Sequence, residues 1–276
     1  MTRLTPRCLD LLKLLRTARW LSTSQVQRRF FPLATADAVR KRLRKLTVSG
    51  YLIQIRRDRM SEALFAVGPQ GKRTLEAMTA EHLTLERKPP AQMAHSTAIN
   101  DLRISAELAG GLQYFYSAWE LPSIGWKQPL IPDGVAAFNG KTFAIEYDSG
   151  AEGVRFFVRS KMIHYEHGLA GFPITAVLVV VDRLPRLLSL AKAIGDRRVK
   201  VLFTTLDLVH RHDFLAPIWF SEPHGWGAGP LGNVSCQSVA ATGDFPAPKS
   251  PAISDLGPLQ PSLLRQRGAE HGKACD

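Results

Sequence analysis

The chain has 276 residues, of which 45% are hydrophobic and 22% charged, and its net charge is +12. That is room for two modest domains with real cores, and it excludes a disordered chain. Its three cysteines, Cys8, Cys236 and Cys275, lie too far apart for a disulfide framework or a cysteine zinc site, which points to a reducing compartment.

The charge is one-sided. Residues 1–90 hold 19 Lys and Arg against 7 Asp and Glu, while residues 91–276 hold 17 against 17. A basic first third suggests a polyanionic partner, with nucleic acid first. The opening residues are interrupted by Asp10, Lys13 and Arg16 and do not form a signal peptide. The longest apolar run, ITAVLVVV from Ile174, is too short to cross a bilayer. The expectation is a soluble cytoplasmic protein with no membrane partner.

Thr5 is an N-cap and Pro6 suits a first helical position, so a helix is predicted from there, with Leu11, Leu14, Leu15 and Ala18 on its apolar face. A second helix starts at Ser22 and ends before Pro32. A third starts at Thr35, turns Val39, Leu43 and Leu46 inward and stops at Gly50. Two short strands joined by a charged turn follow, then a helix from GPQGKRTLEAM. Three helices and a β-hairpin are the order of a winged helix-turn-helix, which sets its third helix in the major groove of double-stranded DNA and its wing on flanking phosphates. The candidate DNA-binding residues are Arg40, Lys41, Arg42, Arg44 and Lys45 on the helix and Arg56, Arg57 and Arg59 on the wing.

Residues 79–94 read as a connector stiffened by Pro89 and Pro90. Beyond it, HSTAINDLRISAELAGG reads as a helix, LQYFYSAWEL as a strand and VAAFNGKTFAIEYD as a hairpin about Asn139-Gly140. AEGVRFFVRSKMIHYEHGLAG reads as a helix, ITAVLVVVD as a buried strand, LPRLLSLAKAIGD as a helix and VKVLFTTL as a strand. This order suggests a mixed sheet flanked by helices. From about Ser221 the chain is rich in Gly, Pro, Ser and Ala, and reads as a mostly disordered tail. The predicted domains are therefore 1–78, a linker at 79–94, 95–220 and a tail at 221–276, in an α+β chain.

Pairing about Asn139-Gly140 sets Asp133 opposite Glu146, two carboxylates that repel unless a cation lies between them. Asp148 follows Glu146 by two residues and shares its face if the strand continues. The spacing makes Asp133, Glu146 and Asp148 candidate ligands of Mg²⁺. Asp133 and Asp148-Ser149-Gly150 equally suit turns. Lys161 and Tyr165 share a helical face, and Lys161 enters the site if that face turns to the sheet. Lys141 and Glu107 are weaker candidates. His95, His164 and His167 read as surface or packing residues, because nothing is spaced to complete a zinc site with them.

Pro132-Asp133 followed by Glu146-Tyr147-Asp148 resembles the PD-(D/E)xK nuclease pattern. From about Leu4 to Leu206 the chain resembles the replication-relaxation family of bacterial plasmids and integrative elements. The LTPR start, the basic third helix, the wing, HSTAINDLR, PDG, AIEYDSG-AE and the KMIHY helix carry that likeness. The resemblance implies a winged helix followed by a restriction-endonuclease-like domain, in a protein of plasmid replication or DNA relaxation. Its implied partners are double-stranded DNA, a second copy of the chain, and other replication or transfer proteins. One departure matters: Asp148 stands where the pattern has a lysine that orients water and stabilises charge, which leaves Lys161 as the candidate for that part. Two functions stay open, metal-dependent nicking of DNA and non-catalytic control of replication or transcription.

Overall fold

The computed structural model describes residues 4–56, 62–167, 173–195, 197–221, 227–229 and 231. The architecture is α+β: a helical part with a small antiparallel sheet, then a seven-stranded mixed sheet with helices on both faces.

Local chemistry sets the first elements where the spacing predicts them. Helix α1 (Pro6–Ala18) begins at Thr5, whose hydroxyl accepts from the Cys8 amide. A two-residue strand, β1 (Leu21–Ser22), was not expected. Helix α2 (Thr23–Phe30) is capped reciprocally by Ser22 and Gln25. Helix α3 (Ala36–Val48) is capped by Thr35 and buries Val39, Leu43 and Leu46. Gly50 turns the chain out of it at φ +74°. Strands β2 (Leu52–Ile55) and β3 (Leu64–Val67) pair antiparallel, and β1 joins β3 on its other edge. Helix α4 (Pro69–Thr79) packs on α1.

The second part opens with α5 (Met93–Ala109), followed by β4 (Leu112–Ser117), β5 (Gly134–Phe138) and β6 (Lys141–Asp148). Asn139 and Gly140 make the β5–β6 turn at φ +49° and +75°, a conformation that Asn-Gly favours. The helical run after β6 consists of α6 (Val154–Phe157), a π-helical turn (Val158–Met162) and α7 (Ile163–Glu166). Strand β7 (Ala176–Val181), helix α8 (Leu184–Ile194), strand β8 (Val201–Thr205), helix α9 (Leu206–Arg211) and strands β9 (Trp219–Ser221) and β10 (Gly227–Gly229) complete the described chain. The sheet order is β10-β9-β8-β7-β6-β5-β4, with β6, β7 and β8 parallel and the other pairs antiparallel. The sheet thus runs past the boundary expected at residue 220: β10 pairs with β9, and Leu231 is buried in the core. The rest of the expected tail lies outside the described residues.

Period-two alternation divides β6 between two cores. Phe143, Ile145 and Tyr147 face α5 and α9, while Ala144 faces α6–α8. Helix α5 serves two cores as well. Ala98, Ile99, Leu102 and Ala106 join the sheet, and Ile104 completes the core of the helical part. Polar contacts reinforce the junction. Asn100 Nδ2 donates to the carbonyls of Ala18 (3.1 Å) and Trp20 (2.6 Å). Arg28 pairs with Asp101 at 2.7 Å and Arg29 with Glu107 at 2.8 Å. The stretch expected as a connector lies along the helical part: Leu83 and Leu85 pack on its core, and the Lys88 carbonyl accepts from Trp20 Nε1. Replacing Ile104 by Ala should lower the unfolding free energy by about 2–5 kcal/mol. Urea unfolding should show that loss in one transition, followed equally by probes in the helical part and in the sheet.

Candidate functional site

Two clusters hold the residues singled out above. The first is the outer face of α3. Its apolar side is buried, so Arg40, Lys41, Arg44 and Lys45 are left on the exposed side. Asp37 pairs with Lys41 at 3.0 Å and with Arg40 at 3.8 Å, but these contacts are solvent-exposed and weak. Arg42 departs from the expectation. It turns back to α1, where its guanidinium donates to Cys8 Sγ at 2.9 and 3.3 Å, because its helical phase places it at the edge of the buried face. Arg56 is exposed at the end of β2. Arg57 and Arg59 lie outside the described residues.

The second cluster is on the sheet. The β5–β6 ladder pairs Gly134 with Ile145, so Asp133 and Glu146 are the next residues on from its last pair. Glu146 is fully buried, and its two oxygens are held by one helical face: Tyr165 donates to Oε1 at 2.5 Å and Lys161 to Oε2 at 2.6 Å. Lys161 lies in the π-helical turn and its ammonium is also 3.9 Å from Asp133. Such a turn widens the helix locally and often marks a functional position. Asp133 accepts from His95 Nε2 and from the Tyr147 amide, both at 2.9 Å. His95, in the first turn of α5, also sets its ring edge against Tyr147, with centroids 5.3 Å apart.

The expected convergence of three acids is corrected here. Asp148 shares the face of Glu146, but Arg186 of α8 binds its Oδ2 at 2.6 Å and the Gly150 amide binds its Oδ1 at 2.6 Å. Among the described residues, no three His, Cys, Asp or Glu side chains are placed to hold a metal ion. Each of the six carboxylate oxygens of Asp133, Glu146 and Asp148 already accepts from the protein. Mg²⁺ demands near-octahedral oxygen ligation and needs free carboxylate oxygens, so this donor set as arranged does not fit it. Glu107 pairs with Arg29 on α2.

Burial, and next the charge of Asp133, push the Glu146 carboxyl up to about 7 against the pull of Lys161 and Tyr165. Burial opposes the charged form of Asp133, yet its hydrogen bond from His95 and the Lys161 charge hold it below its usual value. Burial likewise opposes the charged forms of Lys161 and His95. The carboxylates outweigh it, and both groups are raised. The cluster is a hydrogen-bonded set in which each carboxylate has a donor of its own.

A family model described as replication-relaxation matches residues 12–170, more than half of the chain. The chain belongs to the replication-relaxation family. The matched span covers nearly all of the helical part, the acid pair and Lys161, and it supports a role in plasmid or mobile-element replication or relaxation. No curated protein matches the chain. In this replication-relaxation protein no helix among the described residues is long and apolar enough to cross a membrane.

Three members of the cluster lie outside the predicted set of site residues. The sequence reads His95 as a surface or packing residue, because nothing is spaced to complete a zinc site with it. Tyr165 entered only through its helical phase with Lys161. Arg186 carried no signal, because its meeting with Asp148 requires β7 and α8 to be in place.

Glu146 and His95 both have folded values raised above the ordinary 4.5 and 6.5, so each contributes stability that is present at low pH and lost as pH rises through its folded value. For Glu146 that window runs from 4.5 to about 7. Lys161 titrates above it and Asp133 below it. The midpoint of thermal unfolding should therefore fall between about pH 5 and pH 8, and Glu146→Gln should flatten that fall; a wild-type midpoint that rises through the window contradicts this assignment.

Proposed function

We propose that this replication-relaxation protein binds double-stranded DNA of a plasmid or integrative element through α3 and the β2–β3 hairpin, acting as a winged helix. The observation that carries the reading is the exposed side of α3, where Arg40, Lys41, Arg44 and Lys45 stand over a buried Val39–Leu43–Leu46 face. A helix of this width enters the major groove, and basic side chains on its outer face meet phosphates and base edges. The charge distribution supports it, since the whole net charge of +12 resides in residues 1–90. Arg56 extends the basic surface to the hairpin. A bacterial cytoplasmic setting, a second copy of the chain and other replication proteins go with this reading.

The sheet part is read as a nuclease-like scaffold that does not cut. Support comes from Asp148, whose carboxylate is bonded to Arg186 and Gly150 instead of standing free beside Glu146. The protein then controls replication or relaxation by occupying DNA and presenting a second surface to partners.

Each phosphate contact releases counterions, so binding should weaken linearly in log salt. Arg40→Ala with Arg44→Ala should reduce that slope by about 2 and weaken binding across sequences; fluorescence anisotropy with a duplex at several salt concentrations measures it, and an unchanged slope rejects α3 as the DNA face. Supercoiled plasmid with Mg²⁺ or Mn²⁺ should stay supercoiled. Metal-dependent nicking that disappears in Glu146→Ala would overturn the non-cutting reading while leaving DNA binding intact.

A further inference from the structure

We infer that the acid pair Asp133–Glu146 is built around a cation of the chain's own, the Lys161 ammonium, and that this lysine keeps divalent ions out of the site. The inference does not depend on whether α3 binds DNA.

The geometry assigns the part to Lys161. Two carboxylates from adjacent strands face each other with one fully buried, an arrangement that requires positive charge nearby. Lys161 supplies it at 2.6 Å from Glu146 and 3.9 Å from Asp133, reaching both acids from one side. The remaining oxygens are closed by Tyr165, His95 and the Tyr147 amide. Arg186 does the same for Asp148, so the third acid is withdrawn as well. A divalent ion entering here must break the Lys161–Glu146 contact and leave the ammonium of a side chain that is four-fifths buried without its closest partner. The phase of the helix fixes that ammonium in place. Phe157, one turn earlier, sets its ring 5.4 Å from Lys161 Nζ, and Tyr165, one turn later, bonds the same carboxylate.

The converse follows. If the lysine is what excludes a metal, removing its charge while keeping its length should turn the pair into a metal site. Tyr165 lies against Glu146 and can transfer excitation to a lanthanide bound there, so the full chain can be titrated with Tb³⁺ and followed by tyrosine-sensitised emission. Mn²⁺ is then added in thermal unfolding as a second readout. Wild type should show no saturable emission that depends on Glu146 and no thermal shift with millimolar Mn²⁺. Lys161→Met should melt earlier, show saturable emission, and regain several degrees with Mn²⁺; both gains should vanish in Lys161→Met with Glu146→Gln. If Lys161→Met does not fold alone, Mn²⁺ should restore its cooperative melting. Saturable emission in wild type that Glu146→Gln removes would overturn the inference. So would a Lys161→Met chain that gains nothing from Tb³⁺ or Mn²⁺, because another group would then be keeping the ion out.

Discussion

The structure depends on one helix that belongs to two cores. Ile104 of α5 faces the helical part, while Ala98, Ile99, Leu102 and Ala106 face the sheet. Between them, Asn100 is buried and donates to two backbone carbonyls at the end of α1 and just past it, Ala18 and Trp20. The Ala18 carbonyl also accepts from the Trp20 amide at 2.7 Å, and Asn100 adds a second bond to it; a buried polar group left unbonded costs about 1–3 kcal/mol. The side chain of one part therefore completes the backbone of the other. Arg28–Asp101 and Arg29–Glu107 flank this contact, and Asp101 also lies 3.4 Å from His210 of α9. A flexible hinge between the parts is inconsistent with so many shared bonds.

The same helix brings His95 to the sheet. Its first turn ends at Asp133, and Asn100, less than two turns later, ends at α1. The acid cluster is thus anchored to the junction and shares its rigidity. This explains how a fully buried Glu146 is tolerated. Burying a lone carboxylate is expensive, and the expense is offset only when the partners are fixed in place. Tyr165 and Lys161 are fixed by the packing of Phe157, Met162 and Tyr165 against β6 and β7. Lys161 in the π-helical turn and Tyr165 four residues on share one helical face, so each bonds one oxygen of the same carboxylate.

Much of this was legible from residue types alone. Thr5, Ser22 and Thr35 start helices because their hydroxyls cap amides, and Asn139-Gly140 sets a register from which the Asp133–Glu146 opposition follows by counting. Lys161 was legible through its phase with Tyr165. What escaped needed tertiary information. Asp148 was placed on the correct face, but a face does not reveal that Arg186 waits there from a helix 38 residues on. Arg42 belongs to a run of five basic residues that look alike in sequence, and only the packing of α3 on α1 separates it from the other four. Strand β10 lies in a Gly-rich stretch with no alternation, where pairing with β9 supplies an order that composition does not announce.

The distribution of charge then separates the two clusters by what they can attract. On α3, Asp37 pairs with Arg40 and Lys41 through solvent-exposed contacts, so the exposed side of the helix keeps a surplus of positive charge that phosphates can satisfy. On the sheet, Lys161 lies between Asp133 and Glu146, Arg186 binds Asp148 and His95 bonds Asp133, so each acid has a partner within the chain. An acid cluster without internal cations would repel DNA until a metal arrived, so its contact with DNA would be conditional on that metal. A cluster bonded to donors of the chain itself is under no such condition, and its acids fix β5, β6 and the α6–α7 run to one another.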